Sequence, residues 1–181
     1  ILSPHGMIDP ISFGQKKTKK LIGWYIYQKL MFLNSDLIIV NSSLEKKNLE
    51  YRTESKNKIC VIPHGIDIKF QKNIIKFSSK KKLKFVFFSR IHKSKNLMQL
   101  VNLWTNDVFF KKFNLSIYGE ISDFKYFDLL KTKIKKFQNI KYKGSLYKNK
   151  IQRLSVHDVF IFPSKSENFG LVILEALASG L

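Results

Sequence analysis

One cysteine in 181 residues leaves no partner for an internal disulfide. Its setting, Ile59-Cys60-Val61-Ile62, reads as a buried strand position, and no chemistry is assigned to it. No uncharged apolar run reaches the roughly 18 residues of a membrane-spanning helix, and Ile1-Leu2-Ser3-Pro4 lacks the positive opening of a secretory signal. A cytoplasmic location is therefore expected. Internal repeats, metal-ligand clusters and an Asp-x-Asp motif are all missing. So is an initiator Met, and the chain stops at Ser179-Gly180-Leu181, where an αβ loop should lead into another strand; both ends read as cut from a longer polypeptide.

Acidic residues are scarce, 13 against 33 basic ones, and the resulting net charge of +20 attracts polyanions such as nucleic acid, anionic lipid or phosphorylated substrates. Charge alone does not choose among them. The lysines are spread along the chain beside many Ile, Asn and Phe, as an AT-biased genome also produces.

What is present is a hydrophobic content of 44%, ample for a packed core in one domain or in joined parts of two. Apolar runs rich in β-branched and aromatic residues recur at 37–40, 59–62, 85–88, 115–118, 140–142 and 159–162, and such runs suit strands covered on both faces. Helical patterns lie between them near 18–33, 43–53, 96–104, 123–137, 148–156 and 170–179. The alternation predicts an α/β fold with parallel sheets. Composition breaks once, at Pro63-His64-Gly65-Ile66-Asp67 and the lysine-rich stretch after it. That places one domain at 1–66, a linker at 67–81 and a second domain at 82–181.

The segment Phe162-Pro163-Ser164-Lys165-Ser166-Glu167-Asn168-Phe169-Gly170-Leu171-Val172-Ile173-Leu174-Glu175-Ala176-Leu177-Ala178-Ser179-Gly180 runs from a strand through a polar loop into a helix. In open α/β sheets ligands bind at the carboxyl ends of strands, where glycine permits close backbone approach and free helix N–H groups attract phosphate. Glu167 and Glu175 can each accept both hydroxyls of a diol, and their charge requires that they flank a phosphate, not face it. The plain alternative is an amphipathic helix with solvated glutamates.

This segment resembles the E-x7-E signature of the group 1 glycosyltransferases, family 4 among the retaining enzymes of GT-B architecture, with two Rossmann-like domains. The resemblance implies that Glu175 binds the nucleotide ribose, that Glu167 contacts the donor sugar, and that Asn168 and the amides of Phe169, Gly170 and Leu171 lie near sugar and phosphate. Phe87-Phe88-Ser89-Arg90-Ile91-His92-Lys93-Ser94-Lys95-Asn96 is similar to the family's strand-end G-R-x4-K-G, so Arg90 and Lys95 would hold the donor diphosphate. Ser89 and Asn96 stand where the family has glycine; Asn tolerates left-handed backbone, so the turn can survive. Ser3-Pro4-His5-Gly6-Met7 matches the family's H-G motif, which would bring His5 to the donor sugar from across the cleft; a lone histidine is more commonly a surface or satisfied core residue. Asp36 to Ser42 and Val61 to Asp67 look like two further family segments, and His64 is read as hinge structure.

The resemblance implies a nucleoside-diphosphate sugar as donor, a glycan or lipid-linked acceptor, retention at the anomeric carbon and a role in bacterial surface polysaccharide synthesis. Arg, Lys and a helix N-terminus can neutralise the leaving phosphate, so no metal or other cofactor is expected. Lys16, Lys17, Lys19 and Lys20 beside Trp24, Tyr25 and Tyr27 are expected to touch anionic membrane, the plainer alternative being that those aromatics pack in the core. The rival readings are a non-catalytic GT-B-like protein and a basic nucleic-acid-binding protein; no nucleic-acid module is recognised, and most aromatics sit in strand runs.

Overall fold

The computed structural model describes residues 1–7, 10, 14, 17–53, 58–66 and 82–181. The expected linker at 67–81 and Lys16 lie outside the described residues. The chain divides into two compact units, Ile1–Gly65 with Ser166–Gly170, and Ile66–Lys165 with Leu171–Leu181.

In the first unit, α1 (Lys17–Gly23), a π-helical turn (Trp24–Gln28) and α2 (Lys29–Leu33) run on without a break. Trp24 and Phe32 pack with Ile38 and Val40 of β1 (Ile38–Val40), Leu49 of α3 (Ser43–Thr53) and Ile59 of β2 (Ile59–Val61). The strands are parallel, with Ile38 opposite Ile59, and Leu2 adds a parallel bridge to Ile38. Two expectations are corrected here. Trp24 is no interfacial aromatic: it is 5% exposed, its ring 5.6 Å from that of Phe32, whereas Tyr25 and Tyr27 are exposed. Cys60 is exposed, not buried, because successive side chains of a strand alternate: Ile59 takes the covered face of β2 and Cys60 the open one.

In the second unit, β3 (Lys84–Phe88), β4 (Asn114–Tyr118), β5 (Ile140–Tyr142) and β6 (Val159–Phe160) form a parallel sheet in the order β5-β4-β3-β6. Side chains of β3 alternate between two covered faces. Phe85 and Phe87 meet Leu97, Leu100, Val101 and Trp104 of α4 (Leu97–Asn106) and Phe127, Leu130 and Ile134 of α5 (Phe124–Ile134). Val86 and Phe88 meet Leu154 of α6 (Lys150–Leu154) and Val172 of α7 (Leu171–Ala178). Coverage on both faces is why this run is apolar without alternation. The buried Trp104 satisfies its indole N–H by donating to the Phe113 carbonyl at 3.1 Å. Asp123 caps α5 by accepting the Tyr126 N–H at 3.1 Å. Beyond α6, burial pushes the imidazole of His157 below its ordinary pKa; a hydrogen bond to the Leu154 carbonyl opposes the shift and the charges of Lys143 and Lys84 add to it. The α/β class with parallel sheets is thus the one observed.

Candidate functional site

Between β3 and β6 the strand order reverses, since β3 has β4 on one side and β6 on the other. In open α/β sheets ligands bind at such a reversal, outside the carboxyl ends of the strands. The segments that leave there, 89–96 and 161–170, carry most of the residues singled out from sequence.

Segment 89–96 is held by extension of the β3–β4 ladder: the Ser89 N–H donates to the Tyr118 carbonyl at 3.1 Å and the Ile91 N–H to that of Glu120 at 2.7 Å. A Cβ at Gly119 would lie 1.7 Å from the Ser89 carbonyl oxygen, so only glycine lets the two strand ends approach this closely. Nothing in the sequence pattern marks Gly119 beyond its place directly after the run 115–118. Arg90 is exposed. A 3₁₀ turn, Lys93–Lys95, then opens with His92, whose Nδ1 accepts the Ser94 N–H at 3.2 Å, and closes on Asn96 with φ 57°. The left-handed conformation expected of Asn96 in place of glycine is the one it adopts. Lys95 is buried, its Nζ 5.8 Å from the centre of the Phe162 ring, which confines the ammonium at the end of a covered stem. The Lys165 N–H donates to the Ser94 carbonyl at 3.0 Å and ties the chain leaving β6 to this turn.

Helix α7 begins at the exposed Leu171, and Glu175 lies one turn further on. Its Oε1 is 2.8 Å from the Nζ of Lys150, which also lies 5.7 Å from the centre of the Phe88 ring. Lys150 belongs to no motif and enters only through this pair.

In the first unit His5 and Gly6 form a turn with φ 46° and 78°, and a Cβ at Gly6 would lie 2.9 Å from the Cβ of Asn168. Both the positive φ and the approach of Asn168 require glycine there. The His5 ring stacks on His64 at 5.3 Å and 7°, and His64 meets the Phe169 ring edge-on at 5.5 Å. His64, expected as hinge structure, is thus the middle member of a ring stack. Behind the turn lies Glu45, 4% exposed, whose Oε1 accepts the Gly6 N–H at 2.5 Å and whose Oε2 accepts the Asn41 N–H at 2.9 Å. The Asn41 amide nitrogen is 3.3 Å from Nδ1 of His5. Sequence reasoning passes over Glu45, although Ser42-Ser43-Leu44-Glu45 has capping-box spacing, and meets Asn41 only as part of the segment Asp36 to Ser42, with no role. Ser42 Oγ does accept the Glu45 N–H at 3.1 Å, but the carboxylate reaches beyond Ser42 to the two amides.

His5, Glu167, Asn168, Phe169 and Gly170 therefore belong to the first unit, and Arg90, Lys95, Leu171 and Glu175 to the second. A groove of about 650 Å³ along α4, lined by Gln99, Leu100, Leu103, Ile161 and Pro163 among others, includes none of them. Among the described residues no group of three or more His, Cys, Asp or Glu is placed to hold a metal ion, and no helix is long and apolar enough to cross a membrane.

The family model described as glycosyl transferases group 1 matches residues 68–181. An uncharacterised 41.2 kDa protein of the cps region of Klebsiella pneumoniae is 30% identical over 175 residues, covering 92% of this chain; the chain spans 46% of that protein's length. Among solved structures, Anabaena HepE in complex with UDP and glucose matches with a TM-score of 0.77 at 18% identity, over 99% of this chain and 50% of that one. The pneumococcal O-GlcNAc transferase GtfA in complex with UDP and GlcNAc matches with a TM-score of 0.66 at 23% identity, over 88% of this chain and 31% of that one. These likenesses show the fold, the parallel α/β architecture of GT-B proteins.

Proposed function

The chain belongs to the group 1 glycosyl transferases, and from that premise we propose that the whole protein transfers a sugar, of the hexose class, from a nucleoside-diphosphate sugar to a glycan or lipid-linked acceptor with retention. The observation that carries this reading is the pair of cations, Arg90 exposed and Lys95 buried along its stem, on the segment leaving β3 at the reversal of strand order. Two fixed positive charges there suit a diphosphate whose negative charge grows as the sugar leaves. Glu175 takes the ribose hydroxyls, and Glu167 and Asn168 take the sugar. The amides of Phe169, Gly170 and Leu171 serve sugar and phosphate, and His5 donates to the sugar. Residues 1–66 act as part of an acceptor-side domain and 82–181 as most of the donor-binding domain. The relative in a cps region supports a role in surface polysaccharide synthesis, and retention rests on the family.

Catalysis needs no metal in this reading, because Arg90 and Lys95 supply the charge. Turnover of candidate nucleotide sugars in chelator, with the anomeric configuration of the product read by NMR, tests both points. Activity abolished by chelation and restored by magnesium or manganese overturns the first; an inverted product overturns the second.

An anionic bilayer, on the cytoplasmic face, is the proposed partner of residues 17–33. Ile22, Tyr25, Ile26, Leu30 and Leu33 are exposed along this helical segment, whereas Trp24 and Phe32 are buried. It carries lysines at 17, 19, 20 and 29 and no acidic residue. An apolar stripe flanked by lysine suits the interfacial zone of an anionic leaflet. Binding to phosphatidylglycerol vesicles in preference to phosphatidylcholine at low salt is expected; equal binding sinks the idea.

A further inference from the structure

A β-α-β unit has no need of a carboxylate in its interior, and an acceptor-only group taken out of water is tolerated only where donors meet it. Glu45 is met on both oxygens, one by the Gly6 N–H and the other by the Asn41 N–H, so a single side chain on α3 pins two backbone segments. The first segment is the left-handed turn of His5 and Gly6, a conformation a histidine keeps only where its surroundings impose it. The second presents the buried Asn41 side chain to the His5 ring at 3.3 Å. With the Asn41 amide in this orientation its nitrogen donates to Nδ1 of His5, which leaves Nε2 as the ring N–H. The His64 ring, stacked at 5.3 Å, restricts the plane in which that N–H points.

We propose that Glu45 is a positioning residue that fixes the orientation and tautomer of His5, through the Gly6 amide and through Asn41, so that Nε2–H is offered as a hydrogen-bond donor to the sugar. This rests on the sugar-contacting role given to His5 above. Local sequence supplies the histidine; the carboxylate decides which nitrogen faces the ligand.

The test is ¹⁵N NMR of histidine-labelled whole protein, with the His5 signal assigned by its loss in His5→Ala, alongside donor turnover. Expected is a single Nε2–H tautomer in the wild type, a mixture in Glu45→Gln and Asn41→Ala, and conversion to Nδ1–H in Asn41→Asp, whose carboxylate accepts from the ring. Glu45→Gln should lower kcat about tenfold or more with less change in donor KM, and Glu45→Asp should recover part of it. Glu45→Gln combined with His5→Ala should be no slower than His5→Ala alone, whereas a merely structural role makes the two losses multiply. An Nδ1–H tautomer in the wild type, or a signature unmoved by both Glu45→Gln and Asn41→Ala, overturns the proposal. Should Glu45→Gln not fold, Asn41→Ala decides, since it leaves both backbone bonds to Glu45 in place. Full turnover in His5→Ala overturns the role of His5 instead and leaves the NMR result standing.

Discussion

In the second unit Arg90 and Lys95 lie on the segment that directly follows the apolar run of β3, and although the Tyr118 and Glu120 carbonyls hold its start, both cations and the turn that spaces them fall within eight residues, 89–96. In the first unit the His5 turn is held by a carboxylate 39 residues distant from the amide it grips, and by an asparagine 36 residues from the ring it touches. A site assembled from neighbours in sequence can be read from a motif. One assembled through tertiary contact shows only its tip, here the His5-Gly6 pair, and conceals its support.

The comparison can be broken at five points. The largest effect is expected from the core beneath the locally built segment: Trp104→Ala, at a fully buried position, should cost about 3–5 kcal/mol in urea unfolding. A smaller loss would mean that the aromatic cluster around Phe85 does not hold β3 in place. Next, Arg90→Ala or Lys95→Met in the whole protein should lower kcat by the equivalent of about 2.7–4 kcal/mol, with KM altered less. Turnover within twofold of wild type would show that the turn is a remnant and not a phosphate cradle. Glu175→Ala should weaken nucleotide binding by about 1.5–3 kcal/mol, the scale of a charged hydrogen bond, and raise KM more than it lowers kcat; calorimetry with UDP and other nucleoside diphosphates decides this. Asn96→Ala should destabilise the fold by about 1–2 kcal/mol because alanine resists φ 57°, while Asn96→Gly should be neutral within error. The smallest effect concerns pH. The His157 imidazole is shifted down on folding, so the unfolded chain takes up the proton first; stability is full above about pH 6.5 and falls as pH drops through that value. Urea midpoints at pH 7.5 and 5.5 should differ less in His157→Asn than in the wild type.

All six apolar runs read from the sequence contain strands, and α3 spans the expected residues, because a continuous apolar run bounded by polar segments is a local property of the sequence. The misread positions depend on numbers the local pattern does not contain. Whether Cys60 is covered depends on whether β2 is covered on both faces or on one, and the run 59–62 looks the same in either case. Trp24 and Tyr25 are adjacent aromatics after the same lysines, and only the direction of the sheet buries one and exposes the other. Glu45 is the sharpest case: its spacing from Ser42 is that of a helix cap, while its carboxylate serves the distant Gly6 amide. The same holds for Gly119, whose reason for being glycine is the Ser89 carbonyl, 30 positions earlier.

The open face of β2 also gives the chain a chemical handle. Cys60 is the single thiol in these 181 residues and it is accessible, so a maleimide dye or nitroxide attaches to this segment once, without engineered cysteines. The label reports from the strand that ends at Val61, three residues before the His64 ring. Its fluorescence or mobility, followed while a nucleotide is titrated, turns an exposed strand position into a built-in gauge of events near the His5 stack.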